Sequence, residues 1–178
     1  MLNSVLKVKI FLIGMMGAGK SSVGLTLSRI VGIPFLDIDE LIDTNSYFND
    51  HAIEEFRLEE KKQIQKVILS DEHSIISVGG GAILSQDNRE IIKKSTCIFL
   101  KASVNNLIDR IQNQNIARPL INFLDNGHID KTKFTQIYKE REQYYSDLSD
   151  FIIDTDNDNI LNVAIKINNL LLENEIIN

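Results

Sequence analysis

An α/β domain, a five-stranded parallel sheet flanked by helices, is what this chain of 178 residues predicts. Three observations lead there. Apolar β-like runs alternate with helical periodicity along the chain, the pattern of βαβ units. The stretch Gly14-Met15-Met16-Gly17-Ala18-Gly19-Lys20-Ser21 directly follows the mostly apolar run Val8–Ile13 and opens a helical pattern, the context a phosphate-cradling loop requires. With 43% hydrophobic residues the chain can bury one real core, and no charged n-region with a cleavage site precedes the early apolar stretch Ile10–Gly19, which is shorter than the ~18 residues of a membrane helix.

Taken in order, the first strand is Val8–Ile13 and the first helix Ser21–Val31, with Val23, Leu27, Ile30 and Val31 on one stripe. Gly32 suits its C′ position, and Pro34 cannot continue it. A second strand over Ile33–Leu36 runs into Asp37-Ile38-Asp39, where two carboxylates point the same way along an extended stretch. Asp39 could equally cap a helix that starts at Glu40. Helix Ile53–Leu69 carries Phe56, Ile64, Val67 and Ile68 as its apolar positions. The third strand, Ser74–Val78, ends in Gly79-Gly80-Gly81, and three glycines at a strand end let backbone approach a ligand closely. A short helix near Gln86–Lys94, a strand over Thr96–Leu100 and a helix over Val104–Gln112 follow. Periodicity then fails between Asn113 and Lys133, and a long irregular stretch inside a compact domain is a lid candidate. Helix Phe134–Tyr145, strand Phe151–Ile153 and helix Leu161–Leu172 complete the domain, with Phe134, Tyr144 and Tyr145 expected to pack the penultimate helix onto the sheet.

Charge narrows the partners. A formal net charge of −6 with no basic block disfavours a nucleic-acid or anionic-membrane surface, so anionic ligands must be held by local sites. The single Cys97 lies in an apolar run and reads as a buried strand thiol in a reducing compartment, hence a cytoplasmic protein. His51, His73 and His128 lack metal-ligand spacing and read as surface or structural residues. No Asn-Lys-x-Asp guanine-recognition motif occurs, which disfavours a GTPase-type switch.

In a parallel sheet the chemistry belongs beyond the carboxyl ends of the strands. In the loop Gly14–Ser21, backbone N–H groups can cradle phosphate oxygens, Lys20 adds a point charge near the transferred phosphate, and the Ser21 hydroxyl can ligate Mg²⁺. The paired Asp37 and Asp39 suit one acid near the metal and one near an acceptor hydroxyl. Arg57 and Glu60 could instead be an exposed helix pair, and Arg141 could pair with a surface acid.

Gly14–Ser21, Phe35-Leu36-Asp37-Ile38-Asp39, Phe56-Arg57 with Glu60, Ser77–Ala82, Arg118-Pro119-Leu120-Ile121 and Arg141 with Tyr145 occur in the order found in shikimate kinases, and the resemblance covers nearly the whole chain. It implies a three-layer P-loop kinase fold of the nucleoside-monophosphate-kinase type, a single domain over 1–178 with a substrate-binding region at about 37–62 and a mobile lid at about 113–132. It also implies ATP- and Mg²⁺-dependent phosphorylation of the shikimate 3-hydroxyl in the chorismate pathway to aromatic amino acids, by a monomer with no membrane or nucleic-acid partner. By the same resemblance ATP would be bound by Gly17, Ala18, Gly19, Lys20, Ser21, Ser22, Arg110 and Arg118, with Arg110 stacking on adenine and Arg118 closing from the lid over the phosphates. Lys20, Asp39 and Arg118 would be catalytic, and Ser21 and Asp37 would serve the metal. Asp39, Arg57, Gly79, Gly80, Gly81 and Arg141 would hold shikimate, the two arginines gripping its carboxylate.

One departure stands out. From Asp39 to Arg57 the chain is shorter than the family pattern by more than one helical turn, and Ala52-Ile53 stands where a glycine and an acid normally precede the Phe-Arg pair. The missing part belongs to the region that covers shikimate, so a more open acceptor pocket and weaker shikimate binding are expected. Another acceptor such as gluconate, or a nucleotide-binding relative without acceptor binding, stays open at this stage.

Overall fold

The fold is known from a computed structural model, which describes residues 8–42, 53–113 and 129–177. Five strands, β1 (Lys9–Ile13), β2 (Phe35–Asp37), β3 (Ser74–Ser77), β4 (Thr96–Lys101) and β5 (Phe151–Asp154), form one sheet in the order β2-β3-β1-β4-β5. Every pairing is parallel, with Leu12 opposite both Ser77 and Ile98, and Asp37 opposite Ser77. The helices are α1 (Lys20–Val31), α2 (Ile38–Leu41), α3 (Ile53–Leu69), α4 (Gln86–Ile92), α5 (Val104–Asn113), α6 (Lys131–Leu148) and α7 (Ile160–Glu173), with a 3₁₀ turn at Ala82–Leu84. No described helix is long and apolar enough to cross a membrane.

The strand order explains the sequence pattern. β1 lies in the middle of the sheet, so all five of its residues are buried, and after Lys9 it reads as a continuous apolar run, Ile10–Ile13. β5 is an edge strand, and its exposure alternates, with Ile152 turned to solvent. Against the sheet α1 packs on α7, while α3, α4 and α6 gather round the 3₁₀ turn. Gly32 ends α1 in the left-handed conformation with its N–H on the Ser28 carbonyl, as the sequence predicts. Cys97 is buried in β4, where loss of solvent pushes its thiol pKa far up, and His73 accepts a hydrogen bond from Val8 N on Nδ1 at 3.0 Å.

Several details differ from expectation. β2 starts two residues later than predicted, and α2 begins immediately after it, so Asp37 is extended while Asp39 is helical. The N-cap is therefore Asp37, whose carboxylate accepts from Asp39 N at 3.0 Å, and not Asp39. In α1 the buried stripe is Val23, Gly24 and Leu27, and Ile30, although it lies on the same face in the last turn, is 40% exposed. In α6 Phe134 and Tyr145 are buried as expected, but Tyr144 is 40% exposed under the Arg89 guanidinium, 4.6 Å from its ring centroid. That helix starts earlier than its apolar pattern shows, because Asp130 caps it through the N–H groups of Thr132 and Lys133 at 3.1 Å. His51 and His128, residues 43–52 of the substrate-binding region, and residues 114–128 of the lid with Arg118 lie outside the described residues.

Candidate active site

The carboxyl ends of β1, β2 and β3 lie side by side, and the loops after them form the site. After β1 the chain turns through positive φ at Gly14, Gly17 and Gly19, a path side-chain-bearing residues rarely take. At Gly17 a side chain would also strike the Leu107 carbonyl and Ile111 of α5. No side chain caps α1, so its first-turn N–H groups face the loop, an arrangement made for anionic oxygens. Lys20 is buried, and its Nζ lies over the loop, donating to the carbonyls of Gly14 at 2.9 Å and Met15 at 3.2 Å.

Asp37 ties this loop to the next strand end. Its Oδ2 accepts from Ser21 Oγ at 2.5 Å while Oδ1 caps α2. Two hard oxygen donors thus meet beside the phosphate cradle. On the other flank Arg110 of α5 donates from Nη1 to Thr155 Oγ1 at 3.0 Å and from Nη2 to the Thr155 carbonyl at 2.5 Å, which lays its guanidinium along the segment after β5. Ser22 is exposed at the start of α1.

Beyond β3, Gly79-Gly80-Gly81 form a floor that side chains would obstruct. A Cβ on Gly79 would come 2.8 Å from Asp39 Oδ1 and 2.9 Å from Glu60 Oε1. One on Gly81 would run into the Arg57 guanidinium, and Gly80 backs onto the P-loop at Met16 N and the Gly14 carbonyl. Side chains and backbone thus close in on all three glycines. Arg141 of α6 completes the ring, donating from Nη1 to the Gly80 carbonyl at 3.2 Å.

Glu60 is the residue sequence reasoning underrated. It is 0% exposed, and Arg57, 27% exposed, places Nη1 at 3.0 and 2.9 Å from its two oxygens, so the pair is no surface ornament. Burial pushes the Glu60 pKa up to about 7, with Arg57 pulling against it and the nearby Asp39 adding to the rise. The signal was available, since Glu60 falls four residues after Phe56 and four before Ile64 on the buried stripe of α3. Thr155 had no such signal, because its contact with Arg110 joins segments distant in the chain.

Asp39, Glu60, Arg57 and Arg141 thus converge on one glycine floor next to the P-loop, bringing two carboxyl groups and two guanidinium groups together. Comparison with known proteins points the same way. A 34% identical relative over 146 residues is the bifunctional shikimate kinase/3-dehydroquinate synthase of Thermotoga maritima, which aligns with 79% of this chain but of which the chain spans only 28%. The shikimate kinase of Francisella philomiragia is 30% identical over 175 residues, covering 94% of this chain and 97% of its own. Among solved structures, shikimate kinase from Acinetobacter baumannii in complex with shikimate superposes with a TM-score of 0.83 at 28% identity over 96% of each chain. The family model for shikimate kinase matches residues 16–172, from the P-loop through the last helix, and this chain belongs to that family.

Proposed function

We propose that the chain transfers the γ-phosphoryl group of ATP to the 3-hydroxyl of shikimate, giving shikimate 3-phosphate and ADP. The observation that carries this reading is the placement of the Arg57 guanidinium against Gly81 and of Arg141 Nη1 on the Gly80 carbonyl, with Gly80 backing onto the P-loop. A carboxylate laid there meets two guanidinium groups, and the ring hydroxyls of the same molecule then reach Asp39.

On this reading the P-loop N–H groups and Lys20 hold the β- and γ-phosphates, and Arg110 offers its guanidinium face to the base. Asp39 orients the attacking hydroxyl and accepts its proton as the phosphoryl group leaves ADP. Glu60 fixes Arg57 so that its other nitrogen, lying against Gly81, is presented to the acceptor carboxylate. Arg118 is assigned to the phosphates by the sequence resemblance alone.

Ser21 and Asp37 fit Mg²⁺: they are hard oxygen donors in direct contact beside the phosphate cradle, and this ion takes few protein ligands, filling its octahedron with water and phosphate oxygens. Among the described residues no cluster of three His, Cys, Asp or Glu could hold a metal alone, in keeping with an ion that arrives with its nucleotide. Bound there, it would neutralise charge between the β- and γ-phosphates. We place the protein in the cytoplasm as a monomer acting on two small molecules; its net charge of −6 and lone buried thiol agree with that.

The deciding experiment is a coupled ADP-release assay with Mg²⁺ and shikimate, gluconate or no acceptor. Turnover with shikimate well above the other two supports the proposal. Equal rates in all three, from a folded protein that binds ADP, would sink it.

A further inference from the structure

Within this acceptor site one buried hydroxyl has no part in the reaction as described so far. Tyr145 of α6 is 0% exposed, and its ring stacks on Phe99 of β4 with centroids 5.1 Å apart. Packing alone would be served as well by phenylalanine. Yet the hydroxyl is present, and a buried hydroxyl must find a partner. It donates to the Gly80 carbonyl at 2.5 Å and lies 3.9 Å from Met15 Sδ of the P-loop. Burial pushes its pKa far above the usual tyrosine value, so it stays a donor at any working pH.

The Gly80 residue therefore sits between two elements, α6 and the P-loop. From α6 come Tyr145 Oη and Arg141 Nη1, both on the same carbonyl oxygen. The P-loop backs the residue so closely that a Cβ on Gly80 would come 3.2 Å from Met16 N and 3.4 Å from the Gly14 carbonyl, with Tyr145 Oη at 3.5 Å. Gly80 is thus the point where the acceptor floor meets the phosphate cradle, and Tyr145 touches both. A carbonyl accepting two donors needs each less, but here one donor is also wanted elsewhere: Arg141 can turn to an acceptor carboxylate freely only if the carbonyl keeps Tyr145.

We propose that Tyr145 is a positioning residue for phosphoryl transfer: its hydroxyl, through the Gly80 carbonyl, keeps the glycine floor in register with the P-loop and leaves Arg141 available to the acceptor. This rests on the acceptor-site reading above. The reaction depends on the distance between a hydroxyl on that floor and a phosphate in that loop, and a misplacement of about 1 Å can cost roughly a hundredfold in rate.

Tyr145→Phe in the full chain keeps the ring stack and removes only the hydroxyl. We expect KM for shikimate to rise about tenfold while KM for ATP stays within about twofold, a split that a general loss of stability would not produce. In the ligand-free protein, amide hydrogen exchange over residues 79–84 should quicken while β1 and β4 remain as slow as in the wild type. An unchanged KM for shikimate in an active variant overturns the proposal, as does unchanged exchange over 79–84. The exchange measurement uses no acceptor, so it decides the role of Tyr145 even if the wild type does not phosphorylate shikimate, an outcome that would count against the acceptor reading instead.

Discussion

The phosphate end and the acceptor end of this site share one edge of the sheet but are built by different means. The proposed phosphate end is contiguous: residues 14–21 supply glycines with positive φ, a helix start and Lys20, and most of what it offers an anion is backbone. The acceptor end is assembled from side chains on α2, α3 and α6 that meet over three glycines. A backbone cradle holds its shape as long as the chain path is kept. A side-chain clamp holds only while each member is braced by another, which is why Glu60 stands behind Arg57 and Tyr145 behind Gly80.

The two ends should therefore break differently. The largest effect is expected from Lys20→Ala, which removes the charge over the cradle: turnover should fall by about a thousandfold with little loss of fold, as seen when a preorganised charge on a transition state is lost. Near-normal kcat in a folded variant would refute the assignment. Asp39→Asn should also abolish most transfer while leaving ADP affinity near wild type, whereas Asp37→Asn should chiefly raise the Mg²⁺ concentration needed for half-maximal rate. Steady-state kinetics against Mg²⁺, beside ADP titration calorimetry, separates the two acids.

A smaller effect is expected at the clamp. Arg57→Ala and Arg141→Ala should each raise KM for shikimate about tenfold, the equivalent of ~1.4 kcal/mol, with ATP binding intact. Gly81→Ala sharpens the comparison. Its new methyl would collide with the Arg57 guanidinium, the movable end of a flexible side chain, so the fold should survive while KM for shikimate moves in the same direction as in Arg57→Ala. If Gly81→Ala leaves KM untouched, Arg57 does not lie where shikimate binds.

The mildest test concerns pH. An unfolded chain releases the Glu60 proton near 4.5, whereas burial holds it in the fold up to about pH 7. Between those values the folded state binds more protons, so Glu60 makes stability fall as pH rises from about 4.5 to about 7. Glu60→Gln lacks that slope. Urea unfolding of both proteins across this range should show the wild type losing stability relative to the variant, and parallel curves would mean that Glu60 titrates normally.

The ends also differ in how readable they are. The cradle, the strand that feeds it and the helix that leaves it are legible because the atoms that meet are close along the chain, so spacing alone constrains geometry. Asp37 is legible as a candidate metal ligand but not as the cap of α2, since nothing in Asp37-Ile38-Asp39 says where extension gives way to helix. The pairing of Arg57 with Glu60 was visible at i,i+3, but its burial was not, because exposure depends on what α4 and the glycine floor bring against that face.

Sequence by itself determined the alternation of strands and helices, the phosphate cradle and the family to which these motifs belong, since periodicity and local turn chemistry are properties of neighbouring residues. Tertiary structure decided the strand order, which sets β3 between β2 and β1 and so delivers Gly79-Gly80-Gly81 to both Asp39 and the P-loop. It also decided which partner each long side chain takes: Arg57 with Glu60, Arg110 with Thr155, Tyr145 with Gly80. Those choices depend on which surfaces burial leaves without water, and that is settled only when distant segments of the chain are packed together.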